Sequence, residues 1–475
     1  MTVGVYEVKE LVFNINRSSN VPMYQQVYVY IRTQILTGKI TQHTKLPSIR
    51  QLAMLLNVSR NTTQVAYEQL LAEGYIRSES KKGYFVEVNM SEQLFTYEPT
   101  TVTHKQRQKV VSATIDFKIG TVDKENFPIA KWRNLTNKVL MDPIMYSYGD
   151  KQGDMSLRIA IADYLFQSRG VNASSEQILI GSSTQHLLLI LTLLLKEEFH
   201  QIAVEDPGYN GAREIFSLQS FLIEPISVSE NGVDVDQLCK ADAKLIYVTP
   251  THHFPFGYTM PVNERLKLIQ WAEQVEGYII EDDYDSEFRY IHHPVPSLQS
   301  LDSNDRVVYV GTFSKALLPS IRVSYMVLPK RLLPRYEKIS SLLEQTASSF
   351  HQRTLAHFIS EGYWYAHLRK MKSLYKRKMK VLCEEIKNHF DNYIEIKGDS
   401  SGIYVVIEVK TQMSEKDLIN KASNNGIIVY PCSQYFIKNG PEYPHIQLGL
   451  GNLSEHEIKE GVCKLAKIWI EKNEI

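Results

Sequence analysis

The sequence predicts a multidomain chain. A small head of helices and a β hairpin precedes a larger α/β body, built on a large, mostly parallel sheet and closed by a small C-terminal α+β part. Three observations carry that expectation. The chain has 475 residues, and a single hydrophobic core stops growing at about 250–300 residues. In the head, apolar residues recur at helical spacing between turn residues. From about residue 116 onward, short runs rich in Val, Ile and Tyr alternate with helical patterns, as expected for strands buried on both faces between helix layers.

Composition agrees with a folded chain. Hydrophobic residues are 43% and charged residues 22%, and the 23 Gly and 18 Pro are too few for a low-complexity or collagen-like protein. Net charge is zero, from 53 basic and 53 acidic side chains, which taken whole suggests no nucleic-acid or anionic-membrane partner. The distribution says otherwise. Residues 1–90 carry ten Lys or Arg against six Glu, and Leu11–Val86 alone carries nine against three, so a basic head sits on a mildly acidic body. Cys239, Cys383, Cys432 and Cys463 are scattered, with no CxxC and no Cys/His cluster, so neither a zinc site nor a disulfide framework is expected. The N-terminus has no basic-then-apolar leader and no apolar run approaches membrane-spanning length; a cytoplasmic protein is expected.

The head reads in order. Tyr24, Val27, Tyr28, Ile31 and Ile35 share one face of a first helix, with Gly38 as its stop. Pro47-Ser48 opens a second helix, Asn57-Val58 makes a tight turn, and Ser59 caps a third helix that ends at Gly74. Two short helices joined this way form a helix-turn-helix. The segment YIRSESKKGYFVEV follows as a hairpin or wing. On the third helix Ala66 and Leu70 face inward, whereas Arg60, Asn61 and Gln64 face outward near its N-terminus, suited to base edges or phosphates in a major groove. Lys81 and Lys82 on the wing would neutralise phosphates. The same pattern also fits a small helical domain with a solvated basic face.

The stretch LPSIRQLAMLLNVSRNTTQVAYEQLLAEGYIRSESKKGYFV resembles the winged-helix head of GntR-type bacterial regulators almost position by position. The resemblance implies DNA contacts from Arg50, Arg60, Asn61, Thr62 and Gln64, with Ser59 on a phosphate and the wing contributing Lys82 and Gly83. The usual G-x-G of the wing is Lys81-Lys82-Gly83 here, keeping only the second glycine. Residues 1–88 are assigned to this domain. The polar, aperiodic stretch over 89–115 reads as an extended linker.

The body, 116–475, places its polar residues where strands end. ILIGSS, HQIAVEDPG, KLIYVTP, GYIIEDD and VVYVGTF are the candidate strands, and in parallel sheets ligands bind at the carboxyl ends. Lys315 follows one strand, with Thr312 and Ser314 before it and Arg322 beyond. Asp282 and Tyr284 end another, Tyr209 a third, and Ser183 and Thr184 open a helix whose free N–H groups favour phosphate. A lysine, a carboxylate, a phosphate cradle and an aromatic ring are what pyridoxal phosphate requires: a Schiff base, a partner for the pyridine nitrogen, anchors for the phosphate and a stacking surface. Alone, a strand-end lysine is usually solvated and an EDDYD run is usually an acidic loop or cation site. In this order, with Asp282 and Lys315 33 positions apart, they are specific.

The body is similar to fold-type I, pyridoxal-phosphate-dependent aminotransferases over nearly all its length. The whole chain is identified as a member of the MocR-type subfamily of GntR regulators, on EDPGYNGAR, VTPTHHFPFG, YIIEDDYDSEFRY, VPSLQSLD and VYVGTFSKALLPSIRVSYMVLP. The resemblance implies that Lys315 carries the Schiff base and that Asp282 pairs the pyridinium. Tyr284 would bond the phenolic oxygen and Tyr209 would stack. Ser183, Thr184, Thr312, Ser314 and Arg322 would hold the phosphate, and Tyr148 would be lent to the partner subunit's phosphate site. His252 or His253 would approach the phenolic side, and a small lobe would occupy about 335–475. Two positions depart from the family. The arginine that usually clamps a substrate carboxylate matches Asn452, and an arginine that GABA-responsive members carry after the stacking tyrosine is Gly211. Asn cannot replace a guanidinium clamp. Arg353 is either a substitute or a surface arginine.

The function implied is transcription regulation by an aminotransferase-like sensor that is not itself an enzyme. The expected partners are double-stranded operator DNA, a small-molecule effector (pyridoxal phosphate itself or an amine-type ligand), RNA polymerase, and a second copy of the chain, the head of one subunit near the body of the other. Vitamin B6 or amino-compound metabolism is the expected target. The rival is a working aminotransferase with a DNA-binding appendage. No metal is expected.

Overall fold

The computed structural model describes residues 13–88, 115–290, 295–438 and 440–470. The linker expected over 89–115 lies outside the described residues except for Ile115. The chain divides into two compact units, Met1–Lys109 and Val110–Ile475.

In the head, α1 (Met23–Leu36) buries Val27, Tyr28, Ile31 and Ile35. Tyr24, expected on the same face, is 37% exposed. Helical side chains lean toward the N-terminus, so a first-turn residue projects past the packed length of the helix. After β1 (Lys45–Leu46), α2 (Ile49–Leu55) starts in a capping box between Ser48 and Gln51. The turn that follows takes Asn57 to a φ of +53°, which asparagine tolerates better than most residues. Ser59 then caps α3 (Arg60–Ala72), which buries Thr63, Ala66, Tyr67 and Leu70. The Tyr67 hydroxyl donates to the Pro47 carbonyl at 2.8 Å, fixing α3 against the start of α2. The wing is the antiparallel pair β2 (Ile76–Glu79) and β3 (Gly83–Val86). β1 pairs with the other side of β3, which makes the expected hairpin a three-stranded sheet. At the wing tip Lys81 has φ +63°. The glycine of the family pattern belongs there because the turn needs a left-handed residue, and this chain places a lysine in it.

The body strands are β4 (Ile115–Asp116), β5 (Ile178–Gly181), β6 (Gln201–Asp206), β7 (Leu222–Ser229), β8 (Gly232–Val233), β9 (Leu245–Val248) and β10 (Tyr278–Asp283). They continue as β11 (Val307–Thr312), β12 (Ser324–Val327), β13 (Ile394–Lys397), β14 (Tyr404–Val409), β15 (Ile427–Ile428), β16 (Tyr430–Pro431) and β17 (His445–Gly449). Eight form one sheet in the order β5-β12-β11-β10-β9-β6-β7-β8. From β11 to β7 neighbours run parallel, whereas β12 is antiparallel to both its neighbours. Every residue of β5, β9, β10 and β12 is buried. Successive side chains alternate between two apolar layers, Leu245, Tyr247 and Ile280 with Leu187 and Leu191 on one face, Ile246, Val248 and Ile279 with Leu268 and Trp271 on the other.

The C-terminal part carries an antiparallel sheet, β13-β14-β17-β16, packed with the long helices Tyr363–Phe390 and Glu455–Trp469. The start of the body belongs to it as well. Ile115 pairs with Ile427, and Phe117 is fully buried against the C-terminal helix, so close that a Cβ at Gly461 would meet its ring at 2.7 Å. The lobe expected over about 335–475 therefore also includes residues near 115–117, a long-range pairing that a local reading of the chain does not contain.

Candidate functional site

The sheet topology brings the carboxyl ends of β6, β9, β10 and β11 to one pocket. Lys315, three residues past β11, shares it with Asp282, Tyr284, Tyr209, Thr184 and Thr312. Lys315 reaches Gly120 so closely that a Cβ there would lie 2.4 Å from its amine. Tyr209 precedes the helix Asn210–Leu218, and its ring meets Phe254 edge-on at 5.8 Å.

The EDD run resolves into three separate tasks. Glu281 accepts the N–H groups of Leu298 and Gln299 at 2.8 and 3.0 Å. Asp283 pairs with Arg169 at 2.7 Å. Asp282, pointing to the opposite face as strand alternation requires, turns into the pocket. The Tyr247 hydroxyl donates to its Oδ2, while Oδ1 is buried with no partner. Burial drives its pKa up to about 7, with the Tyr247 bond and the Lys315 charge opposing. Burial also lowers the pKa of Lys315, against the attraction of Asp285 and Asp282. Behind Asp282, burial lifts Glu205 to about 8 although the Thr249 N–H and hydroxyl donate to it at 3.1 and 2.7 Å. Burial takes His253 down to about 3; its Nε2 bonds the Pro207 carbonyl at 3.0 Å.

The phosphate candidates divide. Ser183 caps the helix Thr184–Leu195 by accepting the His186 N–H at 3.1 Å. Ser324, Thr312 and Ser314 form a hydroxyl ladder with steps of 2.9 and 3.0 Å. Arg322 is exposed, in left-handed backbone at φ +53°, and does not line the pocket. Tyr148 is 93% exposed and outside it too.

An unpartnered carboxylate oxygen buried opposite a lysine, with an aromatic ring and a hydroxyl-rich helix start nearby, fits pyridoxal phosphate. The oxygen is an acceptor awaiting a donor, and a protonated pyridine nitrogen is one.

The family departures have structural accounts. A Cβ at Gly211 would meet the Tyr209 ring at 2.5 Å, so this chain keeps the ring where an arginine would intrude. Asn452 is exposed. Arg353 is held by Asp154 at 3.1 Å and by the Ser156 hydroxyl at 2.6 Å, outside the pocket.

Sequence reasoning missed Gly120, Tyr247, Phe254, Asp285 and Tyr404. Tyr247 was the most legible of them, a lone hydroxyl in the aliphatic run KLIYV. Asp285 stands in the segment YIIEDDYDSEFRY; it lines the pocket, and His252 Nδ1 lies 2.8 Å from its Oδ2. The Tyr284 hydroxyl lies 3.1 Å from His252 Nδ1 and 3.1 Å from the Tyr404 hydroxyl.

In the head, Arg50, Ser59, Arg60, Asn61, Gln64 and Lys82 are exposed, and Thr62 and Gly83 are half-buried. The Ser59 hydroxyl accepts the Thr62 N–H at 3.1 Å and lies 2.8 Å from the Thr62 hydroxyl. Gln64 donates to Glu68 at 2.9 Å, and Lys82 pairs with Glu79 at 3.1 Å. The side chains of Arg50 and Arg60 make no hydrogen bond or ion pair with the described residues. No helix of the described residues is long and apolar enough to cross a membrane.

These two parts define the class, a winged-helix DNA-binding head joined to an aminotransferase-type body. Residues 23–86 match the bacterial regulatory proteins of the gntR family, and residues 113–464 match aminotransferase class I and II. The chain is 40% identical to the uncharacterized HTH-type transcriptional regulator YdeL of Bacillus subtilis, covering 96% of this chain and 98% of that one. It is 32% identical to the probable rhizopine catabolism regulatory protein MocR of Rhizobium meliloti, covering 96% and 95%. Among solved structures, the Pyrococcus horikoshii kynurenine aminotransferase in complex with PMP superposes with a TM-score of 0.69 at 22% identity, over 75% of this chain and 91% of that one. The chain belongs to the MocR-type subfamily of the GntR regulators. It is a transcriptional regulator carrying an aminotransferase-like domain.

Proposed function

We propose that this regulator binds operator DNA through α3 and the wing, and that its body senses pyridoxal phosphate together with a small amine-type ligand. The single observation that carries the cofactor reading is the buried, unpartnered Asp282 Oδ1 in the same pocket as Lys315. The cofactor, when bound, supplies an aldehyde for amines and a ring that withdraws electrons.

The chain's own residues do the rest. Lys315 would hold the cofactor covalently, and Asp282 would accept the proton of the ring nitrogen. Tyr209 would cover one ring face and Tyr284 would meet the phenolic oxygen. The helix start at Ser183 and Thr184, with Thr312 and Ser314, would receive the phosphate, and Arg322 would close on it after a side-chain movement. Tyr148 would serve the neighbouring subunit of a homodimer; the exposure of Tyr148, Tyr146 and Met141, 93%, 92% and 87%, supports a covering partner. Arg50, Arg60, Asn61, Thr62 and Gln64 would meet bases or phosphates, with Ser59, Lys82 and Gly83 positioning the backbone.

The body acts as a sensor without sustained turnover. Among the described residues lining the pocket no arginine is present to clamp a keto or amino acid. The test is operator binding by cofactor-free and cofactor-loaded protein. A difference in affinity or footprint is expected; identical binding sinks the sensor reading, and multiple turnover with any amino donor sinks the non-enzymatic one. A visible absorption band that borohydride abolishes, and that Lys315→Ala lacks, checks the lysine.

A further inference from the structure

The head carries an arm, residues 13–22, that precedes α1 and lies outside the residues 23–86 matched to the gntR family. Phe13 and Ile15 pack on the apolar core of the head, and the Phe13 ring stacks on Tyr30 with centroids 4.0 Å apart. The Gln26 side chain, on α1, ties the arm down. Its Oε1 accepts the Asn16 N–H at 3.0 Å, and its Nε2 donates to the carbonyls of Asn16 and Val21 at 3.0 and 2.8 Å. So anchored, the arm delivers Arg17 to the turn between α2 and α3, where its Nη2 donates to the Asn57 carbonyl at 2.7 Å.

That carbonyl is the acceptor the helix-turn-helix leaves over. α2 has seven residues, too few for a helix to hold itself. Its C-terminus closes by two bonds, Asn57 N–H to the Met54 carbonyl at 3.2 Å and Val58 N–H to the Ala53 carbonyl at 3.0 Å, with Asn57 in left-handed backbone at φ +53°. The Asn57 carbonyl itself accepts from no backbone N–H among the described residues. Two positions on, Ser59 caps α3. Backbone rotation at Asn57 and Val58 would re-aim α3, and a bond to the carbonyl between them opposes it. A guanidinium also meets the negative end of the α2 dipole there.

We propose that the arm is part of the DNA reader: Arg17 is a positioning residue that sets the aim of α3 through the Asn57 carbonyl, without itself touching DNA. This rests on the reading of α3 and the wing as the operator-binding surface, and adds the arm to it. Base contacts carry specificity, and phosphate contacts carry the sequence-independent part of affinity. A mis-aimed α3 therefore loses discrimination first.

The experiment is mobility-shift titration of the full chain at several salt concentrations on two DNAs of equal length. One is a fragment from upstream of the chain's own gene that the wild type protects in a footprint; the other is the same fragment scrambled. Arg17→Met, which removes the donor and keeps an unbranched stem, should weaken binding to the protected fragment about three- to tenfold, the scale of one hydrogen bond, with the scrambled DNA within about twofold and the salt slope unchanged. Arg17→Lys, which can still donate to the carbonyl, should restore most of the loss. Gln26→Leu, which releases the arm and leaves Arg17 in the chain, should lose discrimination as Arg17→Met does, and it decides alone should Arg17→Met fail to fold by circular dichroism. Equal loss on both DNAs with a salt slope smaller by about one overturns the proposal, because Arg17 would then be a phosphate contact. Arg17→Lys binding no better than Arg17→Met overturns it too. A wild-type chain that separates the two DNAs while Arg17→Met separates them equally well overturns this inference alone. A wild-type chain that protects no fragment, or does not separate the two, overturns the operator reading and this inference with it.

Discussion

Tyr247 donates its hydroxyl to one carboxylate oxygen of Asp282 and leaves the other buried and without a partner. The two residues sit on adjacent strands, β9 and β10, with side chains on the same face, Tyr247 lying opposite Ile280 in the register. The bond fixes the carboxylate plane, so the free oxygen is aimed before any ligand arrives. Burying an unsatisfied acceptor costs about 1–3 kcal/mol, a cost that a ring N–H would remove.

Asp282→Asn should therefore weaken cofactor binding by about one to two orders of magnitude, the loss of one charge-assisted hydrogen bond of ~1.5–3 kcal/mol. Equilibrium titration followed by the visible absorbance measures it, and the far-ultraviolet circular dichroism should not change. Undiminished cofactor affinity would remove Asp282 from its assigned role.

The buried acids predict a pH dependence of stability without cofactor. Glu205 has its pKa raised to about 8, and Glu281 and Glu287 to about 7. A carboxyl with a raised folded pKa binds protons more tightly when folded, so stability falls as pH rises from the unfolded value through the folded one. His253, lowered from 6.5 to about 3, has the opposite effect, complete by about pH 6.5. Between about pH 6.5 and 8 the Glu205 contribution should appear as a declining melting temperature of the body, with a slope of at most about 1.4 kcal/mol per pH unit for one proton. Glu205→Gln should flatten that decline; an unchanged slope would show that Glu205 does not carry the proton.

Gly211→Val should perturb the site without touching its chemistry. A Cβ there meets the Tyr209 ring at 2.5 Å, so the ring must move from the pocket wall. Cofactor affinity should fall about tenfold or more, as expected for a lost stacking surface of ~1 kcal/mol plus strain. Wild-type affinity in this variant would mean that Tyr209 is not the stacking ring.

In the head, Arg60→Ala should cost ~1–3 kcal/mol on operator DNA with little change on random DNA, as for a bidentate base contact. Lys82→Ala should weaken both alike and lower the salt slope by about one. Electrophoretic mobility shifts at several salt concentrations separate the two patterns. Loss that falls equally on both DNAs in Arg60→Ala would reassign it to the phosphates.

Zero net charge is a poor guide to this chain, because a head of net positive charge cancels against the body. Counted per domain, the charge pointed to the partner that the GntR match supports. The order of strand-end residues was equally legible: Ser183, Tyr209, Asp282 and Lys315 each follow an apolar run, and chain order alone suggested a common ligand. Hidden from it were Gly120, Phe254 and Tyr404, which reach the pocket from segments far apart in the chain and resemble ordinary core residues locally. The β1 strand in the head and the pairing of Ile115 with Ile427 were hidden for the same reason. Two-residue strands have no period to read, and their partners are set by packing.

The sequence by itself determined the three head helices, the wing, five strands of the body sheet and the family, because these depend on local periodicity and on residue types at short spacing. Only the tertiary structure decided what holds Glu281 and Asp283 beside Asp282, that Arg353 is tied to Asp154, and that Asp285 lines the same pocket as Lys315 with His252 bonded to it. Those outcomes depend on sheet register and on which buried charges find partners. Both are settled by contacts between residues distant in the chain, where burial makes every unpaired polar atom costly.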